Sequence, residues 1–187
     1  MATVDELIHE AQERMGKSVE HSRAEFNTVR TGRASASLLD RIEIDYYGTK
    51  TPLKQLATIS VPEARMLTIQ PFDPSSIRNI EKAIQESDLG LTPSNDGKVI
   101  RLPIPQLTEE RRKDLVKVVR GLAEGHRVAV RDIRRDAMRH LKELVDSGVV
   151  GADDEHRAEE RVQKLTDDHT KQIDDLLRHK EAEVMEV

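Results

Sequence analysis

The chain has 187 residues, 36% hydrophobic, 35% charged and 2% aromatic, with no cysteine and no tryptophan. That length suits one ordinary domain or two small ones, with a modest core and little room for a large enclosed active site. Without cysteine there are no disulfides, thiolate zinc sites, cysteine nucleophiles or thiol switches, which fits a reducing, cytoplasmic setting. The four aromatic residues, Phe26, Tyr46, Tyr47 and Phe72, are too few for a platform that stacks several RNA bases. The first ten residues carry acids where a signal peptide carries lysines, and no run approaches 18 apolar residues, so neither export nor a membrane span is expected.

The formal net charge of −5 is unevenly spread: −2 over residues 1–30, 0 over 31–106, +5 over 107–142 and −8 over 143–187. A basic segment therefore lies beside an acidic one, and this asymmetry says more about partners than the total does.

Thr3 and Glu6 stand in capping-box spacing. Val4, Leu7, Ile8, Ala11, Met15, Val19, Phe26 and Val29 then recur at three- and four-residue steps, which predicts one long amphipathic helix ending near Gly32. From about residue 40 the period falls to two: Ile42, Ile44 and Tyr46 alternate with Glu43, Asp45 and Tyr47, a half-buried strand closed by Gly48. Leu67 and Ile69 mark a second strand ending at Pro71. Asp73 and Pro74 start a short helix with Ile77, Ile80, Ala83 and Ile84 on one face, running to Leu89 and Gly90. Asn95, Asp96 and Gly97 predict a turn into a strand through Val99, Ile100 and Leu102.

Thr108, followed by Glu109 and Glu110, opens a second long helix of about 35 residues whose apolar positions run from Leu115 to Leu144. Gly148 and Gly151 end it. Asp153, Asp154 and Glu155 open a third helix, with Val162, Leu165, Ile173, Leu176 and Leu177 on its buried side. The expected fold class is α+β, a long three-helix bundle (1–30 and 107–187) with an inserted small β/α/β domain (31–106). Two short crossings join the parts; one contains Gly32 and the other Pro103 and Pro105. They fit a hinge with few allowed directions, and equally two rigidly docked domains.

With residues of the second helix set about 100° apart, Lys113, Arg127, Arg131 and Arg134 fall within roughly 40° of Arg120, and the apolar set lies about 120° to 130° away. Lys117, Arg135 and Lys142 flank this ridge and Glu124 lies within it. An arginine-rich ridge suits phosphate, and supports RNA binding by shape and charge. The ordinary alternative is a solvated face whose arginines pair with the 14 acids of residues 143–187, and sequence leaves both open.

Catalytic signatures are missing. The seven histidines show no H-E-x-x-H or H-x-x-x-H spacing and are expected mostly on helix surfaces. No phosphate-binding glycine loop, dinucleotide fingerprint or nucleophile elbow occurs, so neither enzyme activity nor a metal or cofactor site is expected.

The motifs V-R-T-G-R-A (29–34), D-Y-Y-G (45–48), I-Q-P-F-D (69–73), S-D-L-G-L-T-P (87–93), L-T-E-E-R-R-K (107–113) and V-R-D-I-R-R-D (130–136) resemble the bacterial ribosome recycling factor family, in order and at compatible spacing. The resemblance spans essentially the whole chain. It implies an L-shaped, tRNA-like protein with the small domain on a flexible hinge. It also implies binding to the post-termination ribosome through large-subunit ribosomal RNA, and splitting of the subunits together with elongation factor G, which carries the GTP. By motif, Arg131, Arg134, Arg135, Arg30 and Arg33 match positions used for ribosomal RNA contact, whereas Lys113, Arg120 and Arg127 rest on the ridge geometry. Thr31, Gly32, Pro103 and Pro105 fall in the hinge segments. Two departures stand out: Phe72 replaces a common Trp and keeps an apolar anchor, and Asp132 replaces a common Asn beside Arg131 and Arg134.

A ribosome ligand of this kind is expected to be a monomer. The alternative is a helical chaperone or adaptor module, with weak salt dependence, an exposed apolar groove and internally paired arginines. A hydrolase with an unfamiliar site is the remaining class, and would require turnover without the ribosome.

Overall fold

The computed structural model describes residues 3–186. In chain order the elements are α1 (Val4–Thr28), β1 (Glu43–Tyr46), β2 (Thr49–Pro52), the single turn α2 (Leu53–Leu56), β3 (Ala57–Glu63), β4 (Met66–Pro71), α3 (Ile77–Glu86), β5 (Ser94–Asn95), β6 (Ile100–Pro103), α4 (Glu109–Asp146) and α5 (Ala152–Met185). They form two compact units, one running up to Thr31 and resuming at Glu109–Glu186, the other Gly32–Thr108.

The first unit is a bundle of α1, α4 and α5. The capping box forms: Thr3 Oγ1 accepts from the Glu6 amide at 3.2 Å and Glu6 Oε2 accepts from the Thr3 amide at 2.7 Å. α1 ends at Thr28, short of Gly32, because Val29 already leaves in an extended conformation. Leu7, Ala11, Met15 and Val19 of α1 meet Val119, Ala123, Val130 and Leu141 of α4 and Ala158, Val162 and Ile173 of α5 in one core. α5 differs from expectation, since Leu165, Leu176 and Leu177 only flank that core while Thr166 and His169 are buried beside it. Both polar groups are satisfied locally: Thr166 Oγ1 donates to the Val162 carbonyl at 2.9 Å, and His169 Nδ1 donates to the Leu165 carbonyl at 2.6 Å. His126 is also mostly covered, only 14% of its side chain remaining exposed. The other five histidines are exposed, so most lie on helix surfaces as expected, with these two as exceptions.

The second unit holds more strands than the sequence pattern shows. β1 and β2 form a hairpin with a two-residue turn at Tyr47 and Gly48, both at positive φ. β3, β4, β6 and β5, in that order, form an antiparallel sheet. With α3 they enclose Ile44, Leu53, Leu67, Ile69, Ile80, Ile84, Ile100 and Leu102. β3 escapes a period-two reading because it is an edge strand, mostly exposed, with a register shift between Ser60 and Glu63 around Pro62. β2 is nearly all exposed and β5 only two residues long. Asp73 caps the turn before α3 through Ser75 as its position predicts, but α3 itself runs only Ile77–Glu86.

Both ends of this unit are tied to the turn between β3 and β4. The Ala34 amide donates to the Ala64 carbonyl at 2.7 Å, and the Ile104 amide to the Arg65 carbonyl at 2.8 Å. Gly32, at φ +74, faces Leu107, and a Cβ placed on it would stand 2.9 Å from Leu107 Cγ. Gly32→Ala is expected to destabilise this unit by roughly 1–2 kcal/mol or more, from the left-handed backbone together with the clash. The chain's two tyrosines both lie in this unit, so urea unfolding followed by tyrosine fluorescence reports the loss, and an unchanged midpoint contradicts it.

At the turn between β5 and β6, Asp96 Oδ1 accepts from the Val99 amide at 2.9 Å and the Lys98 amide at 3.0 Å, while Oδ2 accepts from Arg101 at 3.0 Å. The Val99 and Lys98 amides, then Arg101, hold its carboxyl down at about 2. A depressed folded pKa stabilises the fold above the unfolded value and loses that contribution as pH falls toward about 2. A carbon-13 NMR titration of the Asp96 carboxyl is expected to show a midpoint near 2; a midpoint in the ordinary aspartate range contradicts the turn's hydrogen bonding.

Candidate nucleic-acid interface

The rotation of α4 about its axis is set by the burial of Val119, Ala123, Val130, Ile133, Ala137 and Leu141. Lys113, Arg120, Arg127 and Arg134, at seven-residue steps, are thereby held along a single ridge on the bundle. Gly121 and Gly125 do not interrupt the helix.

α5 supplies partners to three of these arginines. Arg120 Nε donates to Glu181 Oε1 at 2.6 Å, Arg127 Nε to Asp174 Oδ1 at 2.7 Å, and Arg134 Nε to Gln163 Oε1 at 2.7 Å. Lys113 pairs with Glu109 at 2.8 Å within α4. Glu124 receives Arg127 Nη1 at 2.9 Å and also binds Arg131. Asp132 takes Arg135 at 3.0 Å, so the acid that departs from the family pattern sits on Arg135, not on Arg131 or Arg134. The internal pairing expected of a solvated face is thus real for much of the ridge. Arg134 is the exception: its partner is a neutral amide, and Gln163 Nε2 in turn donates to Asp167 at 2.9 Å. Its positive charge is held in place and left uncompensated by any carboxylate bonded to it.

These bonds shape the titration of the site. Hydrogen bonds from Arg131 and then Arg127 hold the Glu124 carboxyl below the usual glutamate range. The hydrogen bond to Asp174 raises Arg127, against a smaller opposing effect of burial, and the hydrogen bond to Glu181 raises Arg120. All three groups stay charged across physiological pH.

Arg30 and Arg33 are exposed, at the end of α1 and just after Gly32. Thr31 is buried, whereas Pro103 and Pro105 are exposed. Phe72 is 69% exposed, which corrects its expected role as an apolar anchor: only its backbone is tied in, the amide donating to the Leu56 carbonyl at 3.0 Å. Among the described residues no cluster of three acidic or histidine side chains is arranged to hold a metal, and no helix is long and apolar enough to cross a membrane. An open groove of about 710 Å³ in the second unit, lined by Arg41, Glu43, Tyr47, Lys82 and Glu86, mixes both signs of charge, Lys82 and Glu86 meeting in an exposed ion pair at 3.8 Å along α3.

Sequence periodicity found the ridge but missed Gln163, Asp174 and Glu181. Their only trace is the acid-rich character of α5, because cross-helix register depends on how the helices dock.

A long three-helix bundle interrupted after its first helix by a small β/α unit, with an arginine ridge on the second bundle helix, defines a two-unit, mainly helical protein. Residues 22–185 match the family model described as ribosome recycling factor. The chain is 58% identical to the ribosome-recycling factor of Halalkalibacterium halodurans over 97% of this chain and 98% of that protein. It is 54% identical to that of Rubrobacter xylanophilus over 96% and 97%. A solution structure of the ribosome recycling factor superposes with a TM-score of 0.79 at 43% identity, covering all of both chains. The T. thermophilus ribosome recycling factor, described with E. coli elongation factor G bound to the E. coli post-termination complex, gives 0.68 at 44% identity over 99% of this chain and all of that one. The chain belongs to the ribosome recycling factor family.

Structural and available arginines are separable by stability. Arg127, with 23% of its side chain exposed, bridges α4 to α5, whereas the Arg135 side chain is 77% exposed and bonded within its own helix. Arg127→Ala is expected to destabilise the bundle by on the order of 1–2 kcal/mol through lost packing and a stranded Asp174, with Arg135→Ala within about 0.5 kcal/mol of the parent. Urea denaturation followed by circular dichroism checks both, and equal effects contradict the distinction.

Proposed function

We propose that this chain acts in the cytoplasm as a non-catalytic ribosome recycling factor. It binds the post-termination ribosome through large-subunit ribosomal RNA and, with elongation factor G, promotes separation of the subunits. GTP is bound and hydrolysed by elongation factor G, not by this chain. The observation that carries the proposal is the family match across residues 22–185, and the related T. thermophilus factor described on the post-termination complex with elongation factor G supports it. The adaptor alternative accounts for the paired arginines but not for that match.

The interface is the α4 ridge, with Lys113, Arg120, Arg127, Arg131 and Arg134 along it, Arg135 on its flank, and Arg30 and Arg33 as further RNA contacts. Arginine forks meet phosphate oxygens in pairs, which gives orientation without reading bases, and the scarcity of aromatic residues suits that mode. Thr31, Gly32 and Pro105 form the hinge; Pro103, expected there too, closes β6 in register with Met66 and lies inside the second unit. The anchoring of Ala34 and Ile104 to the turn at Ala64 and Arg65 keeps that unit intact while the connections outside these anchors bend.

Arg134→Ala tests the interface. Its loss removes a charged phosphate donor but no internal salt bridge, so binding to the large subunit is expected to weaken about tenfold with the fold preserved. Splitting by elongation factor G and GTP should slow in parallel. Affinity of the parent protein should also fall steeply with salt, as each neutralised phosphate releases counterions. Unchanged binding by Arg134→Ala, measured beside an unchanged circular dichroism melt, contradicts the assignment.

A further inference from the structure

Glu124 is the acid within the ridge, and both of its carboxylate oxygens are used by ridge arginines. Oε2 accepts from Arg127 and Oε1 from Arg131. Asp174 takes the remaining Nε edge of Arg127, so two guanidiniums stand against two carboxylates. This stretch of the ridge carries no net charge although it displays two arginines. Glu124 is about half exposed, so its pairs with Arg127 and Arg131 add little to stability. A carboxylate bridging two guanidinium edges fills the place that phosphate oxygens take.

Resting on the RNA-binding reading above, we infer that Glu124 is a specificity-determining residue. It neutralises this stretch of the ridge toward an RNA that meets it only through diffuse charge. An arbitrary duplex is attracted in that way alone, and the acid weakens it. A folded RNA surface that docks the whole ridge engages Arg134 and the guanidinium edges of Arg127 and Arg131 that Glu124 and Asp174 leave open, so Glu124 stays in place and no displacement is paid. Discrimination arises because the internal acid weakens the unwanted complex more than the intended one.

The test compares the full-length protein with Glu124→Gln, which keeps the shape and one acceptor. Binding is measured to purified large ribosomal subunits and to an unrelated RNA duplex between roughly 50 and 200 mM salt. For the duplex, affinity is expected to rise about three- to tenfold and the log–log salt slope to steepen by about 0.9 for each arginine released. For the large subunit the change should stay within about twofold, so the specificity ratio falls. Asp168→Asn, which removes one acid from an exposed position on α5 bonded only to Lys164 of its own helix, should leave duplex affinity unchanged. An equal gain there reflects bulk charge alone and overturns the inference, as does an unchanged duplex affinity for Glu124→Gln or an equal change for both RNAs. If Arg134→Ala weakens large-subunit binding while Glu124→Gln shows one of these contrary results, only the role of Glu124 fails. If Arg134→Ala has no effect, the RNA-binding reading and this inference fall together.

Discussion

The burial of one apolar stripe of α4 between α1 and α5 governs the rest of the bundle. A helix of 38 residues has no lasting preference for one rotation about its axis until one face is claimed. Once Val119, Ala123, Val130 and Leu141 are inside, every seventh residue keeps a constant bearing. Lys113, Arg120, Arg127 and Arg134 are then committed to one line on the outside. The core that enforces this contains a single aromatic side chain, Phe26, and many small ones, so helix spacing rests on aliphatic packing rather than bulk.

The same docking decides how much of the ridge's charge is free. α5 brings Glu181, Asp174 and Gln163 to Arg120, Arg127 and Arg134 in turn, and two of those three partners are acids. The more exposed Arg120 pair contributes little to stability and the covered Arg127 pair more, but both orient guanidiniums and lower the local potential. A protein with a net charge of −5 can thus offer arginine forks to phosphate without being a general polyanion binder. The neutral partner of Arg134 makes that position the point of greatest uncompensated charge along the line.

Long periodic stretches made the bundle readable in the sequence, since the capping box at Thr3, the 3.6-residue rhythm of α1 and α4 and the acidic start of α5 each act locally. The ridge was readable for the same reason. What sequence could not supply was register. Whether α5 would present Gln163 or Asp167 to Arg134 depends on docking, and a period-3.6 pattern is blind to it. The one buried histidine was equally illegible, because His169 hides by donating to a carbonyl of its own helix, a local bond that leaves no mark on hydropathy. In the second unit, Ile44, Leu67 and Ile100 announced their strands, whereas β2 and β3 bury too little to alternate, and Pro62 is tolerated in β3 because that strand lies at an edge.

The claim that the α4 ridge faces ribosomal RNA can be tested in place, because the chain has no cysteine and a single introduced thiol is unique. A hydroxyl-radical source tethered at Lys117→Cys, on the shoulder of the ridge, would be compared with one at Asp168→Cys, exposed on α5 and about 140° around that helix from Gln163, each bound to the large subunit. Strong cleavage confined to one patch of large-subunit RNA from position 117, with little from 168, is the expected result. Equal cleavage from both positions, or cleavage from 168 alone, would contradict the orientation on which the interface rests.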